Sequence, residues 1–289
     1  MSSIDHHLAA SMTRHSAALD AARHAEPVME SLLEDSIWER MRETALAVAR
    51  REPMLARRLQ QLILPHAEPA AMLAAVLARR LASDDLPEPA LRDLMQSVLE
   101  EDATALHRAT ADLAAVKDRD PACPDHLHVI LNLKGYQALQ VHRVAHALWR
   151  ESRTELAFAL ANQASAAFAV DIHPAARIGE GVMLDHGTGI VIGETTVIED
   201  NVSLLQNVTL GGTGKEHGDR HPKIRSGVMI GAGAKILGNI EVGTMSKVAA
   251  GSVVLRPVPP HCTVAGVPAR VVRRHREDSC PSQEMDQTI

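Results

Sequence analysis

The sequence predicts an α+β protein in two parts, an all-α helical domain over residues 1–168 and a parallel β-solenoid over 169–272, followed by a flexible tail over 273–289. Three observations predict it. Aliphatic residues recur every six positions between Ile172 and Val254, the chain before them is rich in Ala, Leu and Arg with repeated helix-start signals, and the last residues are mostly polar. A period of six is neither the 3.6 of a helix nor the simple alternation of a long strand. It marks short strands wound into stacked coils.

One dipeptide punctuates the helical part. Glu26-Pro27, Glu52-Pro53, Glu68-Pro69 and Glu88-Pro89 each put proline at a first helical position and a carboxylate at the positive end of the helix dipole. Further helices are predicted over 102–117, 134–150 and 153–168. Lys134–Gln140 lacks the glycine spacing of a phosphate loop and reads as a helix start. His142 and His146 lie four apart on that helix and read as surface or domain packing rather than a metal pair.

The repeat runs Ile172, Ile178, Leu184, then Ile192, Ile198, Leu204, Leu210, then Ile224, Ile230, Ile236, Val242, Val248, Val254. Glycine directly follows several of these, and a small or branched residue such as Val182, Val202, Val228 or Ser246 often sits four places on. One aliphatic side chain therefore points inward from each strand, and three strands make a triangular coil. Each buried aliphatic contributes roughly 1.5–3 kcal/mol. A core stacked this way needs no aromatics, which are only 2% of the chain.

Such a prism has no interior pocket, so chemistry belongs on its outside, between subunits or under an extruded loop. Two departures from the period show where. From Leu184 to Ile192 the step is eight, around Asp185-His186-Gly187-Thr188-Gly189; from Leu210 to Ile224 it is fourteen, spanning Gly211 to Lys223 with His217, Arg220 and His221. Both set histidine beside charge and glycine, which a structural coil does not require.

Composition narrows the function. With 289 residues the chain holds two cores, and a net charge of −6 argues against a nucleic-acid surface. It has no stretch of eighteen apolar residues, and the first thirty residues lack a signal-peptide core, so a cytoplasmic protein without membrane contact is expected. Cys123, Cys262 and Cys280 are too few and too scattered for a disulfide framework or a four-cysteine zinc site.

The residues Asp171-Ile172-His173-Pro174-Ala175-Ala176, Met183-Leu184-Asp185-His186, Thr209–Lys215, Gly218–Ile224 and Ala265–Arg270 carry a resemblance to bacterial serine O-acetyltransferases. Arg119-Asp120-Pro121 and Leu133-Lys134-Gly135 extend it into the helical part. The resemblance implies a left-handed parallel β-helix and transfer of acetyl from acetyl-CoA to L-serine, with no tightly bound cofactor. It implies His186 as general base with Asp171 fixing its tautomer, Asp120 and Asp185 for the serine ammonium, and Arg220 and His221 for its carboxylate. Gly212, Gly231, Ala232, Lys247, Ala250 and Gly251 would face CoA, with Arg270, Arg273 and Arg274 as additional phosphate contacts.

The resemblance also implies a trimer-based homo-oligomer, a hexamer, inhibition by L-cysteine, and docking of the C-terminal Ile289 into O-acetylserine sulfhydrylase. No covalent nucleophile stands among the matched residues, so transfer is expected to be direct. Two other readings stay open from the residues. One is the same chemistry on homoserine, a sugar or a xenobiotic. The other is a zinc hydrolyase of carbonic-anhydrase type with His186, His217 and His221 as ligands.

Overall fold

The computed structural model of the chain describes residues 36–214, 217–276 and 279–288. The helical part comprises α1 (36–51), α2 (Pro53–Leu62), α3 (Pro69–Leu81), α4 (Glu88–Glu101), α5 (Ala103–Arg119), α6 (His126–Asn132), α7 (Lys134–Arg150) and α8 (Thr154–Phe168). Helices α2 and α3 start at the predicted prolines with Glu52 and Glu68 as N-caps, and α4 starts one residue earlier, at Glu88. The Glu26-Pro27 start lies outside the described residues. Helix α6 was not predicted; it is seven residues long and is nucleated by Asp125, whose Oδ1 accepts from the His128 N–H at 2.8 Å. Met72, Leu73, Leu77, Leu99, Leu113 and Leu139 fill the helical core with at most 1% exposure.

The predicted prism follows. One sheet stacks β1 (Val170–Ile172), β4 (Ile190–Ile192), β7 (Thr209–Gly211), β10 (Lys235–Leu237) and β13 (Val253–Val254). A second stacks β2 (Arg177–Ile178), β5 (Val197–Ile198), β8 (Lys223–Ile224) and β11 (Glu241–Val242). The third stacks β3 (Met183–Leu184), β6 (Ser203–Leu204), β9 (Met229–Ile230), β12 (Lys247–Val248) and β14 (Cys262–Gly266), closed by antiparallel β15 (Ala269–Arg274). Register follows from the period. Uninterrupted coils advance by eighteen residues (Ile192 to Leu210), the first interruption makes one of twenty (Ile172 to Ile192), and the second one of twenty-six (Leu210 to Ile236). Every aliphatic of the series is buried.

The turns form three edges. The first carries 185–189, 205–208, 231–234 and 249–252; the second 173–176, 193–196, 212–222 and 238–240; the third 179–182, 199–202, 225–228 and 243–246. The helical part is fastened to the third. Asp112 on α5, fully buried, takes Arg143 Nη2 at 2.6 Å, Gln140 Nε2 at 3.1 Å and the Val182 N–H at 2.9 Å. Arg143 in turn donates to Ile178 O and Gly179 O. At the end of α5, buried Arg119 donates to Asn201 Oδ1 and Ser203 Oγ, both at 3.1 Å. These charges hold α5 and α7 against the first coils.

Residues 279–288 lie against the third sheet. Helix α9 (Pro281–Glu284) buries Ser282, whose carbonyl accepts from Ser203 Oγ at 2.9 Å. Lys247 Nζ donates to Asp286 O at 2.8 Å and Thr288 O at 2.5 Å. The anchors are hydrogen bonds to backbone carbonyls, which hydropathy does not register. Ile289 lies outside the described residues. Among the described residues no helix is long and apolar enough to cross a membrane.

Candidate active site

The first interruption carries one group of candidate residues. Asp120 follows the last residue of α5 and Lys134 opens α7; with Asp185 and His186 they line a cavity of about 240 Å³ between the helical part and the first coil. The His186 side chain is 73% exposed, so its imidazole faces outward and not into the aliphatic core. Its Nε2 stands 3.9 Å from Asp185 Oδ1, beyond hydrogen-bond reach. Burial raises Asp185 above the ordinary carboxylate range; His186 opposes the shift and Asp120 reinforces it. Two carboxylates facing one cavity fit a cationic ligand.

Asp171 lies on β1, beside the strand that leads out of the His186 turn. The first interruption lengthens the coil to twenty residues, so Asp171 stacks under Val191 on an outward sheet face. Among the described residues no ion pair joins it to His186, whose nearest acid is Asp185.

The second edge carries the other group of candidate residues. Arg220 Nη2 pairs with Glu194 Oε2 at 2.6 Å, and Arg220 N–H and His221 N–H both donate to Thr195 Oγ1, at 3.0 and 3.1 Å. Arg220 holds Glu194 below the usual carboxylate range. His221 is buried, with Nδ1 accepting from the Thr195 N–H at 3.2 Å, so the proton of the neutral ring sits on Nε2. Burial and then Arg220 lower its pKa. Its ring packs on Gly193, where an added Cβ would fall 2.1 Å from Nε2.

Glu194 and Thr195 were missed. A coil of twenty-six residues sets Val197 beside Lys223, which by the same register puts Glu194 under Arg220 and Thr195 under His221. That count was available in the sequence.

Four of the six CoA candidates come together. Gly231, Ala232, Ala250 and Gly251 stack on the first edge, two and three coils along from His186, with the Gly251 N–H donating to Ala232 O at 2.8 Å. A Cβ on Gly231 would stand 2.6 Å from Ala250 N, so the strip is flush backbone. Lys247 lies on the adjoining sheet face, held by the tail carbonyls, and Gly212 lies on the second edge beside Arg220. His186 and His221 occupy different edges, and among the described residues no three His, Cys, Asp or Glu side chains are grouped to hold a metal. His142, fully buried and well below its ordinary pKa, packs against His146 with ring centroids 5.8 Å apart, the packing role expected.

A prism with an outward histidine at one end of a flush backbone strip defines the class of hexapeptide-repeat acyltransferases. The family model "Serine acetyltransferase, N-terminal" matches residues 37–141. The serine acetyltransferase of Salmonella typhimurium is 54% identical over 251 residues, covering 87% of this chain and 92% of that protein. The crystal structure of serine acetyltransferase from Vibrio cholerae is 55% identical, with a TM-score of 0.86 over 88% of this chain and 98% of that one. A serine acetyltransferase in complex with cysteine is 50% identical (TM-score 0.86; 89% and 99% covered), and one from Brucella abortus in complex with coenzyme A is 49% identical (TM-score 0.82; 83% and 96% covered). The chain is an acyltransferase and belongs to the serine acetyltransferase family.

Proposed function

We propose that the chain transfers acetyl from acetyl-CoA to the hydroxyl of L-serine, giving O-acetyl-L-serine and CoA, by direct attack with His186 as general base. One observation carries this reading: His186 and the Gly231–Gly251 strip share the first edge, with Asp120 and Asp185 facing the same cavity. The pantetheine arm lies along the strip and brings the thioester to the exposed imidazole. The carboxylates hold the serine ammonium, and His186 takes the hydroxyl proton as the oxygen attacks the thioester carbon, then passes it to the leaving thiolate. No acetyl-enzyme forms.

Arg220 and His221, the groups suited to the serine carboxylate, stand on the second edge of the same prism. Side-by-side packing brings one copy's second edge to its neighbour's first, which supports a trimer with shared sites and a hexamer joined through the helical parts. L-cysteine, which shares serine's ammonium and carboxylate, fits the same groups as an inhibitor. Ile289 offers an apolar side chain to a sulfhydrylase, and cytoplasmic residence completes the reading.

The test is CoA release with L-serine, homoserine and sugar acceptors under one set of conditions. L-serine is expected to have the highest kcat/KM; a higher value for another acceptor would reassign the site. A second expectation concerns pH. Because Asp185 titrates above the ordinary carboxylate range, acidification protonates it early and removes attraction for the serine ammonium. The KM for serine should therefore rise as pH falls while that for acetyl-CoA stays nearly level, measured in steady-state profiles. Parallel rises would show that Asp185 does not hold serine.

A further inference from the structure

The turn that carries His186 is under backbone strain. The Gly187 N–H donates to Asp185 O at 2.6 Å, closing a three-residue turn with His186 at its centre and φ at +57°. A histidine in the left-handed region is uncommon, and such residues persist where their surroundings over-determine them. The prism supplies part of the restraint, through Gly189 N–H to Ala169 O at 2.7 Å and Asn207 N–H to Thr188 O at 2.8 Å. Those two bonds act after the histidine, and the Asp185 N–H to Leu204 O bond at 2.8 Å holds the chain just before it.

A side-chain restraint comes from the first turn of α7. Lys134 Nζ donates to Thr188 Oγ1, and among the described residues it makes no ion pair with Asp120 or Asp185. Its charge is therefore spent on the turn and not on the acids that share its cavity. Gly135 lies directly on the same turn. A Cβ there would fall 1.9 Å from Leu184 O, and one on Gly187 would fall 3.1 Å from Gly135 Cα. The Thr188 N–H donates to His186 O at 2.9 Å, so a pull on Thr188 reaches the histidine backbone directly.

We propose that Lys134 is a positioning residue for the transfer, holding the His186 turn through Thr188 so that the imidazole stays outward at the cavity mouth. The proposal rests on the reading of His186 as the base. It makes the helical part a component of the catalytic geometry as well as a platform for assembly.

A mutant cycle on the full chain tests it, with kcat, both KM values and the thermal midpoint measured for Lys134→Met, Thr188→Val, the double variant and Lys134→Arg. Each single change is expected to lower kcat on the order of 10- to 100-fold, the scale set by small misplacements of a reacting group. The KM for acetyl-CoA and the midpoint should hold, the double variant should lose no more than the worse single, and arginine should restore part of the rate. Losses that multiply, a normal rate in Thr188→Val, or a rise confined to the KM for serine in Lys134→Met would each overturn the clamp; the last would make Lys134 a substrate contact. Should Lys134→Met not fold, Thr188→Val, altering an exposed side chain, carries the same expectation. His186→Ala run alongside keeps the readings apart: normal turnover there removes the base assignment, whereas a collapse there with independent Lys134 and Thr188 effects removes only the clamp.

Discussion

Replacing His186 with alanine is expected to lower kcat by about 10²- to 10⁴-fold, the usual contribution of a positioned general base, with little change in the KM for acetyl-CoA. The fold should survive, because the side chain is 73% exposed and belongs to none of the stacked aliphatics. Alanine tolerates the left-handed backbone poorly, so the better partner variant is His186→Asn. Asparagine enters that region readily yet offers no base. Equal losses in the two variants would place the effect in the imidazole. A rate retained in His186→Asn would place it in the backbone, and near-normal turnover in both would strip His186 of its role.

The largest effect on stability is expected at Asp112. Its side chain is 0% exposed and that of its partner Arg143 is 4% exposed, so solvent screens the pair little. Burial disfavours the Asp112 carboxylate and raises its pKa, while Arg143 and its hydrogen-bond donors pull the other way. Asp112→Asn leaves a guanidinium buried without its counter-charge, a change that typically costs about 3–5 kcal/mol. Apparent midpoints in urea, compared at one protein concentration, would show it. The double variant Asp112→Asn with Arg143→Met should recover much of the loss, since neutral replacement of a buried pair is often tolerated. A double variant as unstable as the single would mean the loss lies in packing around α5 and not in the orphaned charge.

How much was legible varies with the kind of interaction. The prism was open to arithmetic: a fixed inward position every six residues predicts which strands stack, and the excesses of two and eight reappear as coils of twenty and twenty-six residues. Helix starts were legible where Glu-Pro marks them, while the short α6 was hidden because one turn of capping by Asp125 outweighs its lack of length. Asp112 and Arg143 could not be recognised as buried, since a charged residue on an amphipathic helix looks the same whether it faces water or a second domain. The place of Asp171 beside Val191 follows from the twenty-residue coil that the first interruption makes. The contacts of Lys134 and of residues 279–288 were hidden for a related reason: both are hydrogen bonds between segments far apart in the chain.

The second interruption leaves the prism after Leu210 and returns at Ile224, and the coil it belongs to still stacks Leu210 under Ile236. The core is therefore indifferent to how many residues the excursion contains. An insertion at that edge can be absorbed without disturbing a single aliphatic contact, whereas deleting one residue within an uninterrupted coil would turn every later side chain out of phase. New specificities can thus be tried at one corner of an otherwise rigid column.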